Sequence, residues 1–231
     1  MAYLIDAFTG AFRLIFSLDR EIFGIALLSL RVAGTATVLA TLLGVPLAYV
    51  IASRSFPGKS ALLTVFNTLM ALPTVVIGLF TYSFLSRKGP LGFLDLLFTP
   101  TGIIIGDVIL AFPLIVGLTV AAVNAVDERA RITAMSLGAT PGQTSWTVLA
   151  EARFALMAAV INGFGRVIAE VGSAMMLGGN IRGYTRTLTT AIALETSKGE
   201  FAFGMALGLI LLTVALLVNI LFRRFQTAAR S

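Results

Sequence analysis

Residues 201–222 read FAFGMALGLILLTVALLVNILF, a run without one charged side chain. A helix of about 20 mostly apolar residues crosses the hydrocarbon core of a bilayer, so this run is a membrane span. Four more stretches upstream reach that length: 32–52, 61–85, 101–126 and 154–177. The composition agrees. Hydrophobic residues make up 58% of the 231, charged residues 12%, and mean hydropathy is +0.97. A soluble domain carries about 25% charged residues, and half of that cannot coat a water-soluble globule. The expected fold is all-α, a polytopic transmembrane helical bundle of about five spans.

The chain has no cysteine and no histidine. That excludes disulfide frameworks, Cys or His metal sites, haem held by His, and Ser-His-Asp or Cys-His chemistry. The net charge is +6, but the basic residues stand singly between apolar runs. No basic stripe follows a phosphate backbone, so nucleic acid is not an expected partner. Membrane lipid, with its anionic headgroups, is.

Residues 1–21 form a segment of their own. Leu4, Ile5, Phe8, Phe12, Ile15 and Phe16 fall on one helical face, interrupted by Asp6 and Arg13. The segment lacks a basic leading region and a small-residue cleavage site. It is expected to be an interfacial amphipathic helix. Residues 22–231 are then the transmembrane domain. Residues 22–30 extend the first span outward, with Arg31 near the membrane boundary.

The link 53–60, SRSFPGKS, is a tight turn broken by Pro57-Gly58. Links 127–153 and 178–200 are long and polar. Charge does not orient the bundle: with the N-terminus outside, eight basic residues (Arg54, Lys59, Arg129, Arg131, Arg153, Arg223, Arg224, Arg230) lie inside and seven (Arg13, Arg20, Arg87, Lys88, Arg182, Arg186, Lys198) outside.

The long link begins DERARITAMSLGATPGQTSWTVLAEAR. A helical patch ends at Ala134-Met135-Ser136-Leu137-Gly138, and glycine suits the left-handed position past a helix C-terminus. Pro141 opens a second patch. Two short helices at an angle would project a knob from the membrane surface; the plainer reading is an ordinary connection between spans.

The fourth span holds the costly residues. Asn162, Arg166 and Glu170 are spaced by four and share a face if the helix is continuous. Arg166 lies about 18 Å and Glu170 about 24 Å along the helix from Phe154. A charge near the bilayer centre costs at least about 2.5–3.5 kcal/mol. Either the two form a structural pair within one helix, or their face lines a translocation path or gate. Gly163, Gly165 and Gly172 between them suit close helix packing. Asp107 is the other charge within a span, with Arg166 one candidate partner. Gly178-Gly179-Asn180 is either a helix cap or a turn whose N–H groups hold an anion. Arg182 and Arg186 beside it either attract an anion or stay solvated. Pro46, Pro73 and Pro113 are expected to kink their spans.

These stretches together resemble the membrane subunit of type I ABC importers, and within them the molybdate/tungstate branch. The family's cytoplasmic motif is Glu-Ala-Ala, three residues, Gly, nine residues, then Ile-x-Leu-Pro. Thr133-Ala134 and Gly138 hold the Ala-Ala and Gly places and Val148 the Ile place. Arg131 sits where the family often has Glu, and Ala150-Glu151 replaces Leu-Pro. The turn RSFPGKS, the stretch LPTVVIG at 72–78, and RVIAEVGSAMML with the following GGNIRGYTRTLTTAIALETSKGEF carry the resemblance to tungstate-type permeases in particular.

The resemblance implies a type I ABC importer permease fold in the inner membrane, crossing it several times. It implies a channel-forming permease that moves an oxyanion, tungstate or molybdate, from a binding protein to the cytoplasm. Loop 127–153 would be cytoplasmic, with Ala134, Met135, Ser136, Leu137, Gly138 and Arg131 coupling to an ATPase. The path or gate would be drawn from Asn162, Arg166, Glu170, Gly172, Gly178, Gly179 and Asn180. The implied partners are a second copy of the chain, a cytoplasmic ABC ATPase dimer and an extracytoplasmic oxyanion-binding protein. The chain has no G-x-x-x-x-G-K-[ST] loop. It is therefore expected to be non-catalytic and to bind no cofactor, the ATP being used by the partner. The alternatives are a gradient-driven secondary transporter, of a class that often shows paired repeats, and a non-transporting assembly factor.

Overall fold

The computed structural model describes residues 2–17 and 19–228, with side chains for 8–17 and 19–224. Eleven α-helices are present among them and no strand. Helix α1 spans Ala2–Phe16, α2 Arg20–Ser53, α3 Lys59–Met70, α4 Thr74–Leu85, α5 Pro100–Asn124 and α6 Glu128–Ser136. Then come α7 (Pro141–Glu151), α8 (Arg153–Ile168), α9 (Gly172–Gly178), α10 (Leu188–Lys198) and α11 (Phe201–Ala228). Three helices are long and apolar enough to cross a membrane: α2, α5 and α11. Two further pairs pass the same test only if each is counted as one bent span, α3 with α4 at 99° and α7 with α8 at 69°.

Local chemistry sets the helix ends. The Asp19 carboxylate accepts from the N–H groups of Glu21 and Ile22 at 2.9 and 3.2 Å, so α2 starts twelve residues before Val32. Arg31 is thus inside a continuous 34-residue helix, not at its end. Thr99 caps α5 ahead of Pro100. Thr187 and Thr190 cap α10 reciprocally, and Gly199, at φ +85°, ends it.

Two expected spans are broken. Residues 61–85 are not one rod, because Ala71, Leu72 and Pro73 separate α3 from α4; proline has no N–H to continue the helix. Residues 154–177 are divided at 169–171 into α8 and α9. Pro46 and Pro113, by contrast, stay inside α2 and α5.

In lipid, helices associate by close contact more than by water exclusion, and small residues mark the contacts. A Cβ on Gly163 would lie 2.9 Å from Ile115 Cδ1, where α8 meets α5. One on Gly78 would lie 2.9 Å from Ser173 Cα, where α4 meets α9. Ala33, Ala36, Ala40, Ala111 and Ile115 form the buried seam between α2 and α5.

Helix α1 packs through Gly10 and Ala11 against α11, with Ala11 fully buried. Phe8, Phe12 and Phe16 point outward, the last two rings stacked 6.5 Å apart. The expected apolar face is therefore open on its aromatic side; Met1 and Leu18 lie outside the described residues, and so do the side chains of Leu4, Ile5 and Asp6.

Candidate functional site

Two places carry the residues singled out from the sequence: a protrusion made by α6 and α7, and the interrupted region between α8 and α10.

Asp127 caps α6 through the N–H of Arg129 at 2.9 Å. Past its C-terminus, Gly138 adopts φ +82°. Its N–H donates to Met135 O and that of Ala139 to Ala134 O, both at 3.0 Å. Thr140 and Gln143 close a capping box at the start of α7, with Pro141 in the first turn. The corner is thus fixed at both ends, as the glycine and proline led us to expect.

Four large apolar side chains stand exposed on it among polar ones. Leu137 is 82% exposed and Trp146 75%. Ile132 and Met135 are exposed too. Leu137 and Trp146 line a shallow hollow together with Gly138 and Gln143. Ala134 is half-buried and Ser136 turns its hydroxyl back to Ile132 O at 2.9 Å. Arg131 points the other way: its Nη2 donates to Ser53 Oγ at 3.2 Å, tying α6 to the end of α2. Trp146 was not singled out from the sequence. The available signal was the chain's sole tryptophan standing in a non-spanning segment.

In the interrupted region, Asn162 and Arg166 lie on the exposed side of α8, beside Gly165, whose Cβ direction is open. Glu170 does not join them. The helix ends at Ile168, and Glu170 turns inward to 5% exposure. The expectation of one shared face fails because the spacing by four holds only while the helix continues. Arg166 forms no ion pair among the described residues, and Asp107 faces Glu170 rather than Arg166.

Glu170 Oε1 accepts from Ser173 N at 2.8 Å, and its carbonyl accepts from Thr189 Oγ1. Gly172 sits against Val75 and Thr74 at the start of α4. Gly178 ends α9 against Ile103, and Gly179, at φ +70°, caps it through Met175 O at 3.0 Å. Asn180 Nδ2 donates to Thr190 O at 3.3 Å, and Ile181 N donates to Thr185 Oγ1 at 3.0 Å. The turn therefore spends the N–H groups of Gly179 and Ile181 on its own closure.

Arg182 and Arg186 are likewise engaged. Arg182 pairs with Glu21 at the start of α2. That contact holds its guanidinium above its ordinary, already high, pKa. Arg186 lies 3.7 Å from Glu21 and 3.5 Å from Glu195, which also meets Lys198 at 3.0 Å. Ser29 Oγ accepts from Leu188 N at 2.7 Å. The middle of link 178–200, residues 185–191, is therefore an inner part of the bundle, while 181–184 and 196–200 stay exposed. Sequence reasoning passed over its threonines, Thr185, Thr187, Thr189 and Thr190, all of which are buried.

Residues 40–231 match the family described as "Binding-protein-dependent transport system inner membrane component". The chain belongs to this family. It is a multi-pass inner-membrane permease of the ABC transporter class. A "Probable anion ABC transporter permease protein" of Haloferax volcanii is 42% identical over 207 residues, 87% of this chain and 89% of the relative. The "Tungstate uptake system permease protein TupB" of Peptoclostridium acidaminophilum is 38% identical over 227 residues, 98% and 99% of the two chains. That of Campylobacter jejuni is 37% identical over 97% of the permease and 94% of its own length. The fold is that of a solved amino acid ABC transporter chain, with a TM-score of 0.67, 17% identity, and 93% and 96% of the chains covered.

Proposed function

We propose that this permease is the translocation subunit of an ATP-driven oxyanion importer, with tungstate as the favoured cargo and molybdate the close second. Two copies would enclose the path, a binding protein would deliver the anion from outside, and a separate ATPase would supply the work. The chain would hydrolyse nothing itself.

The single observation that carries the coupling is the apolar tip of the protrusion, Ile132, Met135, Leu137 and Trp146. Large apolar side chains presented on a rigid, capped corner outside the spans favour a protein groove. Arg131 then has a mechanical role: through Ser53 it carries displacement of α6 into α2. The exposed position of Arg166 supports pairing of two copies. A charge in a span costs least when it faces a wet interior, so the Asn162–Arg166 side of α8 would turn to the partner and the path. Cargo choice rests on full-length similarity to tungstate permeases.

The test is reconstitution in lipid with the ATPase and the binding protein loaded with tungstate, molybdate or sulfate. Tungstate-loaded binding protein should stimulate ATP hydrolysis most. Equal hydrolysis with empty and loaded binding protein would reject the reading.

A further inference from the structure

Where Glu170 turns in from the break between α8 and α9, it lines one small cavity together with Asp107 of α5. The cavity is about 10 Å³, the room that one water-sized sphere takes. Ser29 of α2 and Thr187 and Thr189 at the start of α10 complete its polar wall. No lysine or arginine lines it. Asp107 is 2% exposed, and its Oδ1 has no hydrogen-bond partner. Buried polar atoms in native proteins are nearly always partnered, and an orphan calls for an explanation.

We propose that this cavity binds one small monovalent cation of the sodium class. The polar wall is all oxygen: two carboxyls and three hydroxyls. The last turn of α8, through Val167 and Ile168, and the start of α10, through Thr187 and Thr189, both border it, so their end charges oppose each other and the oxygens decide what is held. Broken helices inside membranes hold cations in this manner. The two carboxyls are the only titratable groups on the wall; Arg186, next to Thr187 in sequence, is engaged by Glu21 and Glu195, and Arg166, next to Val167, lies on the exposed side of α8. A divalent ion takes six or more oxygens, and no group of three or more acidic, His or Cys ligands exists among the described residues. The cation would join α2, α5, the 169–171 break and α10 at one point. The proposal goes beyond the transport reading and stands whichever oxyanion is carried.

The full-length chain, purified in detergent, is heated in chloride salts of sodium, potassium and choline at constant ionic strength. Sodium should raise the Tm saturably by at least about 2 °C over choline. Potassium, being larger, should raise it less. Asp107→Asn should abolish the sodium shift, and the wild-type comparison stands by itself if that variant fails to fold. Equal Tm values in sodium and choline overturn the proposal. So does a Tm that follows pH but not the cation, which would leave the carboxyls holding only a proton. A sodium shift that survives in a folded Asp107→Asn places the ion elsewhere and overturns it too.

Discussion

Arg131 donates to Ser53 across 3.2 Å, so the protrusion hangs from the end of the first long helix by a side chain 78 positions further along the chain. A hydrogen bond from a charged group is worth about 1.5–3 kcal/mol. Arg131→Ala and Ser53→Ala should each reduce binding-protein-stimulated ATP hydrolysis and transport, with normal insertion. The double variant should be no worse than either single one, because they remove the same contact. Fully additive losses in a transport assay would separate the two residues.

At Gly138 the open surroundings make the backbone the deciding factor. Nothing lies within 4 Å of a Cβ built there, but φ is +82°. The left-handed conformation costs a residue with a Cβ about 1–2 kcal/mol, and more for a β-branched one. Gly138→Val should insert normally and lose coupled transport, Gly138→Ala should lose part, and Gly138→Asn least. Transport assays on the three variants check that order.

Trp146 should anchor the ATPase. Trp146→Ala is expected to weaken co-purification about tenfold or more, as for an aromatic centre of an interface, without lowering the permease's own Tm. A titration of ATPase onto the membrane-embedded chain measures it. Undiminished affinity would remove the tip from the interface.

The absence of native cysteine makes pairing directly testable. Gly165→Cys, on the open side of α8, should give a disulfide-linked dimer on mild oxidation in membranes. Gly163→Cys should not, because it faces Ile115 inside one chain. Gel mobility without reductant distinguishes them.

Crowding at Gly78 offers a contrast in stability. A Cβ there meets the Ser173 backbone at 2.9 Å, whereas nothing lies within 4 Å at Gly24. Gly78→Ala should lower stability by about 1–3 kcal/mol and Gly24→Ala should not; thermal scans by fluorescence-detected size exclusion report both.

What the sequence disclosed was set by the range of the signals. Residues 101–126 and 201–222 declare helices by length and apolarity alone, and α5 and α11 follow. Gly138 and Pro141 declare a corner because glycine and proline act on their own backbone. Direction is another matter. Hydropathy sums are blind to the bend at Leu72-Pro73 and to the break after Ile168, so two bent or divided segments read as rods. With α8 taken as continuous, Glu170 fell beside Arg166; it is instead beside Asp107, a residue more than sixty positions away. Likewise Thr187 and Thr189 look solvent-facing until α10 is folded inward, since nothing local encodes their distant acceptors.

The right-angled turn between α3 and α4 bears on how the chain enters the bilayer. Each half has 12 residues, a rod of about 18 Å, short of the roughly 30 Å needed. Neither half can therefore leave the insertion machinery as a self-sufficient anchor, and the backbone groups exposed at the elbow cannot be left against acyl chains. The long rods α2 and α5 have the span length by themselves, whereas the elbow between them depends on α5, against which both of its halves pack.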